Sequence, residues 1–355
     1  MRVLLDCRMA TWTGVGRYTV GIARALARRE DIELVQLVMR GDQPPSPDAD
    51  AVYASKPVLS LAGPREFGRI VRGVAPDITH SAQYPVPSPA AHPLVVTLHD
   101  LIPLAIPDSM PSALRREIYR RLNLRAVGRA DHIITDSSAT ALDVVRYLGA
   151  PSDKVTSIPL AADDFARGPI APDLPLGITA PYILCVSNAK PHKDVASLLA
   201  AFSSFAEEHP HHRLVLVGVA DPAFVTARVS SAHLRGSITL TGRVTDDQLR
   251  ALYSSCEMFV FPSRYEGFGL PPLEAMHLGA PVITSSATSL PEVVGEAAYL
   301  FEPGDVAALA KAMTALADDP LERQRLSDAG RARAATFSWD ATAARTVDVY
   351  RKALR

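Results

Sequence analysis

The sequence predicts two successive doubly wound α/β domains that face each other across a linker. Its 355 residues exceed one ordinary core and suit two domains of roughly 150 to 180 residues. Short apolar runs rich in Val, Ile and Leu alternate with helix-length segments up to about position 300, the pattern of buried parallel strands with crossover helices. One stretch rich in proline and glycine, inside 161–180, interrupts that alternation.

In the first half the strands are expected at 2–6, 33–38, 77–80, 94–100, 132–137 and 154–159. Between the first two, Val15, Tyr18, Ile22 and Leu26 recur at helical spacing and give one face to a sheet. The second series of strands is expected at 182–187, 213–218, 237–242, 258–263, 281–286 and 297–302. Beyond 303 the chain reads as helical, ending in a segment with Ser338 as N-cap and Trp339, Ala343, Val347 and Tyr350 near one stripe. The expected organisation is a first domain over 1–165, a linker over 166–180, a second domain over 181–337, and a final helix over 338–355 that packs back toward the first domain. In such folds ligands bind at the carboxyl ends of the strands, so the cleft between domains is the expected site.

Composition narrows the function. With 37 basic and 38 acidic side chains the formal charge is −1, so no global field recruits nucleic acid or an anionic membrane, and an anion has to be gripped locally. Cys7, Cys185 and Cys256 are widely spaced in apolar contexts and read as reduced core residues of a cytoplasmic protein. No apolar run approaches the ~20 residues of a membrane-spanning helix. The arginine-rich segment 115–129 is read either as a helix with a solvated basic face or as a peripheral membrane contact.

The run SRYEGFGLPPLEAMHLGAP, 263–281, concentrates the chemistry. Glu266 sits on a glycine loop directly after a strand, and Gly267 and Gly269 let backbone approach a ligand. Pro271 and Pro272 suit a helix start, leaving free amides on Phe268, Gly269, Leu270 and Leu273 as a pocket for phosphate oxygens. Glu274 is expected in the first helical turn. Both glutamates only accept hydrogen bonds, so on a phosphate-bearing ligand they should receive sugar or ribose hydroxyls.

This run resembles the signature of the retaining, nucleotide-sugar-dependent glycosyltransferases of family 4, which have the GT-B architecture. The likeness extends through TGVGRYT, VVTLHDLIPL, YILCVSNAKPHKD, LTGRVTDDQL and SLPEVVGEAAYLFEPGD. The resemblance implies that Glu274 binds the ribose, that Glu266 faces the donor sugar, and that the amides from Gly267 through Leu270 contact sugar and diphosphate. Lys193 matches the family's lysine on the diphosphate. His192 stands where many relatives carry arginine, which puts a second basic phosphate contact in doubt, and Ser187 replaces a frequent glycine beside Asn188 in the donor pocket. Arg243 and Val244 fall where relatives contact donor phosphate or base, although Arg243 reads equally as a surface residue. Gly14 and Gly16 match a loop that closes over the diphosphate, although tight packing alone also calls for glycine.

The resemblance also implies that His99 lies beside the transferred sugar. Asp100 either orients the acceptor hydroxyl or caps its loop, and Tyr84 either lines the acceptor side or anchors a loop. No cofactor and no metal are expected. The implied partners are a nucleotide sugar and a glycan, lipid-linked or small-molecule acceptor, with no nucleic acid. The motif style is similar to bacterial mannosyltransferases of surface polysaccharide assembly, implying GDP-mannose as donor and front-face attack with retention. The alternatives are a UDP-sugar-dependent transferase, a two-domain sugar-nucleotide epimerase, or a non-catalytic sugar-nucleotide-binding protein.

Overall fold

A computed structural model describes residues 1–88 and 93–355. The chain divides into two compact units, Met1–Ala161 with Ser338–Arg355, and Ala162–Phe337. Each is built on one parallel sheet.

In the first unit the strands are β1 (Arg2–Asp6), β2 (Glu33–Met39), β3 (Asp50–Ala54), β4 (Ile78–Ser81), β5 (Leu94–Leu98), β6 (His132–Thr135) and β7 (Val155–Ser157). Their order across the sheet is β3-β2-β1-β4-β5-β6-β7, every neighbouring pair parallel. Strand order therefore reverses between β1 and β4. Val3, Leu4, Leu5 and the whole of β5 are buried because helices cover both faces, as buried parallel strands require. Helix Thr13–Ala27 contributes Tyr18, Ile22 and Leu26, and at Gly21 a Cβ would fall 2.1 Å from the Trp339 ring. That indole belongs to the last helix, Trp339–Ala353, whose N-cap Ser338 accepts from the Ala341 amide and whose Ala343, Val347 and Tyr350 are buried in this unit.

Strand β3 is absent from the sequence reading. It lies at the sheet edge, and only Ala54 of its five residues is buried, so its DAVYA sequence carries too little apolar signal.

The second unit contains β8 (Tyr182–Val186), β9 (Arg213–Val217), β10 (Ile238–Gly242), β11 (Met258–Phe261), β12 (Val282–Ser285) and β13 (Ala298–Phe301). All pairs are again parallel, in the order β10-β9-β8-β11-β12-β13, so the reversal falls between β8 and β11. Helix Val195–Glu208 presses Leu198, Phe202 and Phe205 into a core shared with Leu309 and Met313 of helix Val306–Asp318. The segment expected as a linker begins as part of this unit. Arg250, 5% exposed, donates to the carbonyls of Phe165 and Pro169 and pairs with Asp247, and its guanidinium fills the space where a Cβ on Gly168 would lie.

All three cysteines are free and buried. Burial raises each thiol, that of Cys185 to about 12. No helix among the described residues is long and apolar enough to cross a membrane. The arginine-rich segment forms helix Ala113–Arg129, capped by Ser112, with Leu114 and Ile118 exposed and Glu117 paired to Arg121 at 2.7 Å.

Candidate functional site

In the second unit the reversal of strand order brings the segment after β8 against the segment after β11. The Ser263 hydroxyl lies 3.0 Å from the His192 carbonyl and 3.1 Å from that of Tyr265, the Arg264 amide donates to the His192 carbonyl, and Ser285 donates to the Ser263 carbonyl. This lacing sets Lys193 Nζ 2.6 Å from Glu266 Oε1, with side-chain exposures of 18% and 10%. A charge-assisted pair at the strand ends thus keeps access to solvent.

The glycine loop is fixed from behind. Thr288 Oγ1 accepts the Glu266 amide at 3.0 Å and donates to its carbonyl at 2.9 Å, and the Ser289 hydroxyl lies within 3.0 Å of the carbonyls of Glu266 and Phe268. Gly269 has φ 120°, and a Cβ there would meet Leu290 at 2.8 Å, so both backbone freedom and space require glycine. The amides of Phe268, Gly269 and Leu270 donate to no acceptor among the described residues. Leu273 departs from expectation: its amide is spent on the Gly269 carbonyl at 3.4 Å, closing the first turn.

Glu274 departs as well. The helix starts at Leu270, ahead of the two prolines, so Glu274 is its fifth residue and lies beyond the first turn. Dipole compensation at the helix start therefore does not account for it. It is 3% exposed and accepts from the Tyr253 hydroxyl at 3.1 Å. A buried carboxylate carries a desolvation cost that packing alone does not explain.

His192 is buried, and its Nδ1 has no hydrogen-bond partner among the described residues. Burial first and Lys193 second pull its pKa down to about 4, so it brings no second positive charge. Arg264 is committed to Asp194 at 2.8 Å, which also accepts from Ser197. Arg243 is exposed without a partner among the described residues, and Val244 is half-buried. Ser187 is half-buried with its carbonyl against Gly218, and the exposed Asn188 accepts the Lys190 amide at 3.1 Å. No hydrogen bond among the described residues joins these four to the Lys193–Glu266 pair.

The first unit places its candidates beyond the carboxyl ends of β1, β4 and β5. Gly14 and Gly16 lie in the first turn of helix Thr13–Ala27 and not in a loop. Gly16 is required by packing, since its Cβ would fall 2.4 Å from the Ala10 carbonyl, whereas Gly14 has open space around it. His99 is 8% exposed, with Nδ1 2.7 Å from Asp136 Oδ2 and Nε2 2.9 Å from the Ala82 carbonyl. A carbonyl only accepts, so Nε2 carries hydrogen. Burial opposes the imidazolium, but the Asp136 carboxylate and the two hydrogen bonds outweigh it and raise the pKa. A ring held at both nitrogens has no lone pair free to take a proton.

Asp100 Oδ1 accepts the Ile102 amide at 3.1 Å, which is the loop-capping arrangement. Tyr84 stacks edge-on against Tyr119, 5.4 Å between centroids, and Tyr119 donates to the Asp100 carbonyl.

Three groups escaped the sequence reading. Arg8 grips Asp6 through two 2.7 Å bonds beneath Phe67, with exposures of 2% and 7%. Asp136 follows β6 as His99 follows β5, a shared position at strand ends that was the available signal. A buried polar chain runs from Tyr350 Oη to His80 at 2.6 Å, to Thr97 at 2.8 Å and to Tyr18 at 2.9 Å. Among the described residues no cluster of three His, Cys, Asp or Glu side chains is placed to hold a metal ion.

Residues 12–164 match the family model described as Glycosyltransferase Family 4, and residues 170–333 the one described as Glycosyl transferases group 1. Over 96% of its length the chain is 31% identical to the serotype-specific mannosyltransferase WbdA of Escherichia coli, of which it spans 46%. It is 29% identical to O-antigen chain mannosyltransferase B of Escherichia coli, over 96% of each chain. Sucrose-phosphate synthase from Thermosynechococcus elongatus has the same fold, with TM-score 0.81 over 99% of this chain and 98% of that one at 21% identity.

Proposed function

This chain belongs to glycosyltransferase family 4, and from that premise we propose that it is a mannosyltransferase whose second unit holds a nucleotide-sugar donor, GDP-mannose first among them. The observation that carries the reading is the solvent-reachable Lys193–Glu266 pair, beside loop amides at Phe268, Gly269 and Leu270 that have no acceptor among the described residues. A diphosphate supplies acceptors for those amides and for Lys193, and its sugar supplies hydroxyl donors for Glu266. Glu274, buried beside Tyr253, then accepts from ribose.

In this reading Glu266 does not attack the anomeric carbon. The lysine ammonium and the loop amides stabilise the departing diphosphate, and the acceptor hydroxyl attacks from the face the nucleotide leaves, so that configuration is retained. His99, engaged at both nitrogens by Asp136 and the Ala82 carbonyl, is a fixed ring of the first unit and not the group that takes the acceptor's proton. The leaving phosphate oxygen takes the acceptor's proton. A glycan, free or lipid-linked, is the acceptor.

The test is a thermal-shift screen of GDP-, UDP-, ADP- and dTDP-sugars, followed by transfer or hydrolysis of the stabilising donor. A donor at 100 times its Kd adds about 2.7 kcal/mol of stability. Stabilisation by GDP-mannose with release of GDP is the expected result. Stabilisation by none of the four, or binding without turnover over a broad acceptor panel, would count against the proposal.

A further inference from the structure

The first unit has its own reversal of strand order, between β1 and β4, and what the chain displays there is an aromatic ring. Trp12 lies in the short connection from β1 to helix Thr13–Ala27, at the carboxyl edge where open parallel sheets bind their ligands. It is 46% exposed, and its indole makes no hydrogen bond or ring contact among the described residues. The other tryptophan, Trp339, is 3% exposed and packed on Gly21.

The backbone beneath Trp12 is firmly held. Its amide donates to the Met9 carbonyl at 3.0 Å, its carbonyl accepts the Gly16 amide at 2.9 Å, and the Ala10 amide donates to Cys7. Gly16 lets Ala10 sit directly against the helix start, and the buried Asp6–Arg8 fork anchors the base of the connection. The backbone that carries the indole is thus set before a ligand arrives, which removes that part of the ordering cost.

We infer that Trp12 is the stacking platform on which the first unit seats the acceptor saccharide, an inference that rests on the transferase reading above. A pyranose has an apolar C–H face and a polar rim. An indole offers a broad apolar face and a single N–H donor at its edge, the matching pair of features. A phosphate or a peptide backbone has no such face to stack. Asp6 and Arg8 neutralise each other out of solvent, which leaves the indole as the large exposed side chain of this connection.

Because the chain has two tryptophans, emission can be assigned. The full chain is titrated with methyl α-mannoside and with mannotriose, alongside Trp12→Phe and Trp12→Ala. Saturable quenching or a blue shift is expected in the parent chain and is lost in Trp12→Phe, where Trp339 alone emits. In transfer assays Trp12→Ala raises the acceptor KM about tenfold, the scale of losing an aromatic anchor, and the rise falls on the acceptor's KM and not the donor's. Trp12→Phe, which keeps a ring, recovers most of it. A parent chain silent to both saccharides, a signal that persists in Trp12→Phe, or an acceptor KM unmoved in Trp12→Ala overturns the inference. Failure of the transferase reading is distinct: GDP-mannose then gives no thermal shift, while the saccharide signal stays with Trp12.

Discussion

Both sheets reverse their strand order once, and at both reversals the chain sets a cation beside a carboxylate, yet the two pairs differ in kind. In the second unit Lys193 and Glu266 come from segments 73 positions apart, keep 18% and 10% of their side-chain surface, and sit beside amides with no acceptor among the described residues. In the first unit Arg8 and Asp6 are two residues apart, locked by two hydrogen bonds, and all but sealed. A pair that solvent reaches can exchange partners with a ligand at modest cost. A sealed pair that loses one member leaves a stranded charge. The same ion-pair chemistry thus serves recognition in one unit and architecture in the other.

The largest effect should come from breaking the sealed pair. Arg8→Met is expected to destabilise the first unit by about 3 to 5 kcal/mol, the usual cost of a stranded buried charge. Trp12 and Trp339 both belong to that unit, so urea unfolding followed by tryptophan emission reads it directly. Lys193→Ala should cost much less stability, and a cost equal to that of Arg8→Met would erase the contrast.

Next in size is acidification of the first unit. Burial, with the neighbouring His99 charge second, lowers the His80 pKa from 6.5 to about 3. Between those values the unfolded chain binds a proton that the folded unit does not, so stability falls by about 1.4 kcal/mol per pH unit as pH drops through the window. His99 has the opposite sign: its raised pKa adds stability that is complete below its ordinary value and lost as pH rises through the folded one. In His80→Gln the slope of unfolding free energy between pH 6 and 4 should flatten by that amount. An unchanged slope would remove His80 as its source.

On the accessible side, Lys193→Ala and Glu274→Gln should each weaken GDP-mannose binding by about 2 kcal/mol, roughly thirtyfold, in calorimetric titration. Glu274→Gln keeps a side-chain oxygen to accept from Tyr253, so its loss should fall on donor affinity more than on the melting temperature. Equal donor affinity in both variants would move the site elsewhere. An effect of similar size is expected for Gly269→Ala, which forces a Cβ toward Leu290 at φ 120° and should cost about 1 to 3 kcal/mol of strain, read as a lower melting temperature of the second unit.

What the sequence disclosed follows the same divide. Twelve of the thirteen strands were legible because buried parallel strands are continuous apolar runs, while β3, half-exposed at an edge, was not. The glycine loop and its glutamates were legible because they lie within one short stretch. Their supports were not: Thr288 behind Glu266, Tyr253 against Glu274 and Asp136 on His99 arrive from other strands and helices, and only topology delivers them. The start of the helix at Leu270 also escaped, since two prolines mark an N-terminus without fixing its first residue.

The last helix gives the molecule an order of assembly. The second unit is one unbroken stretch, Ala162–Phe337, and has all its contacts in hand once that stretch has left the ribosome. The first unit, although synthesised earlier, waits for Trp339 to fill the space at Gly21 and for Tyr350 to reach His80. The half begun first is therefore finished last, and until Tyr350 is made its buried hydroxyls and imidazole have an open end.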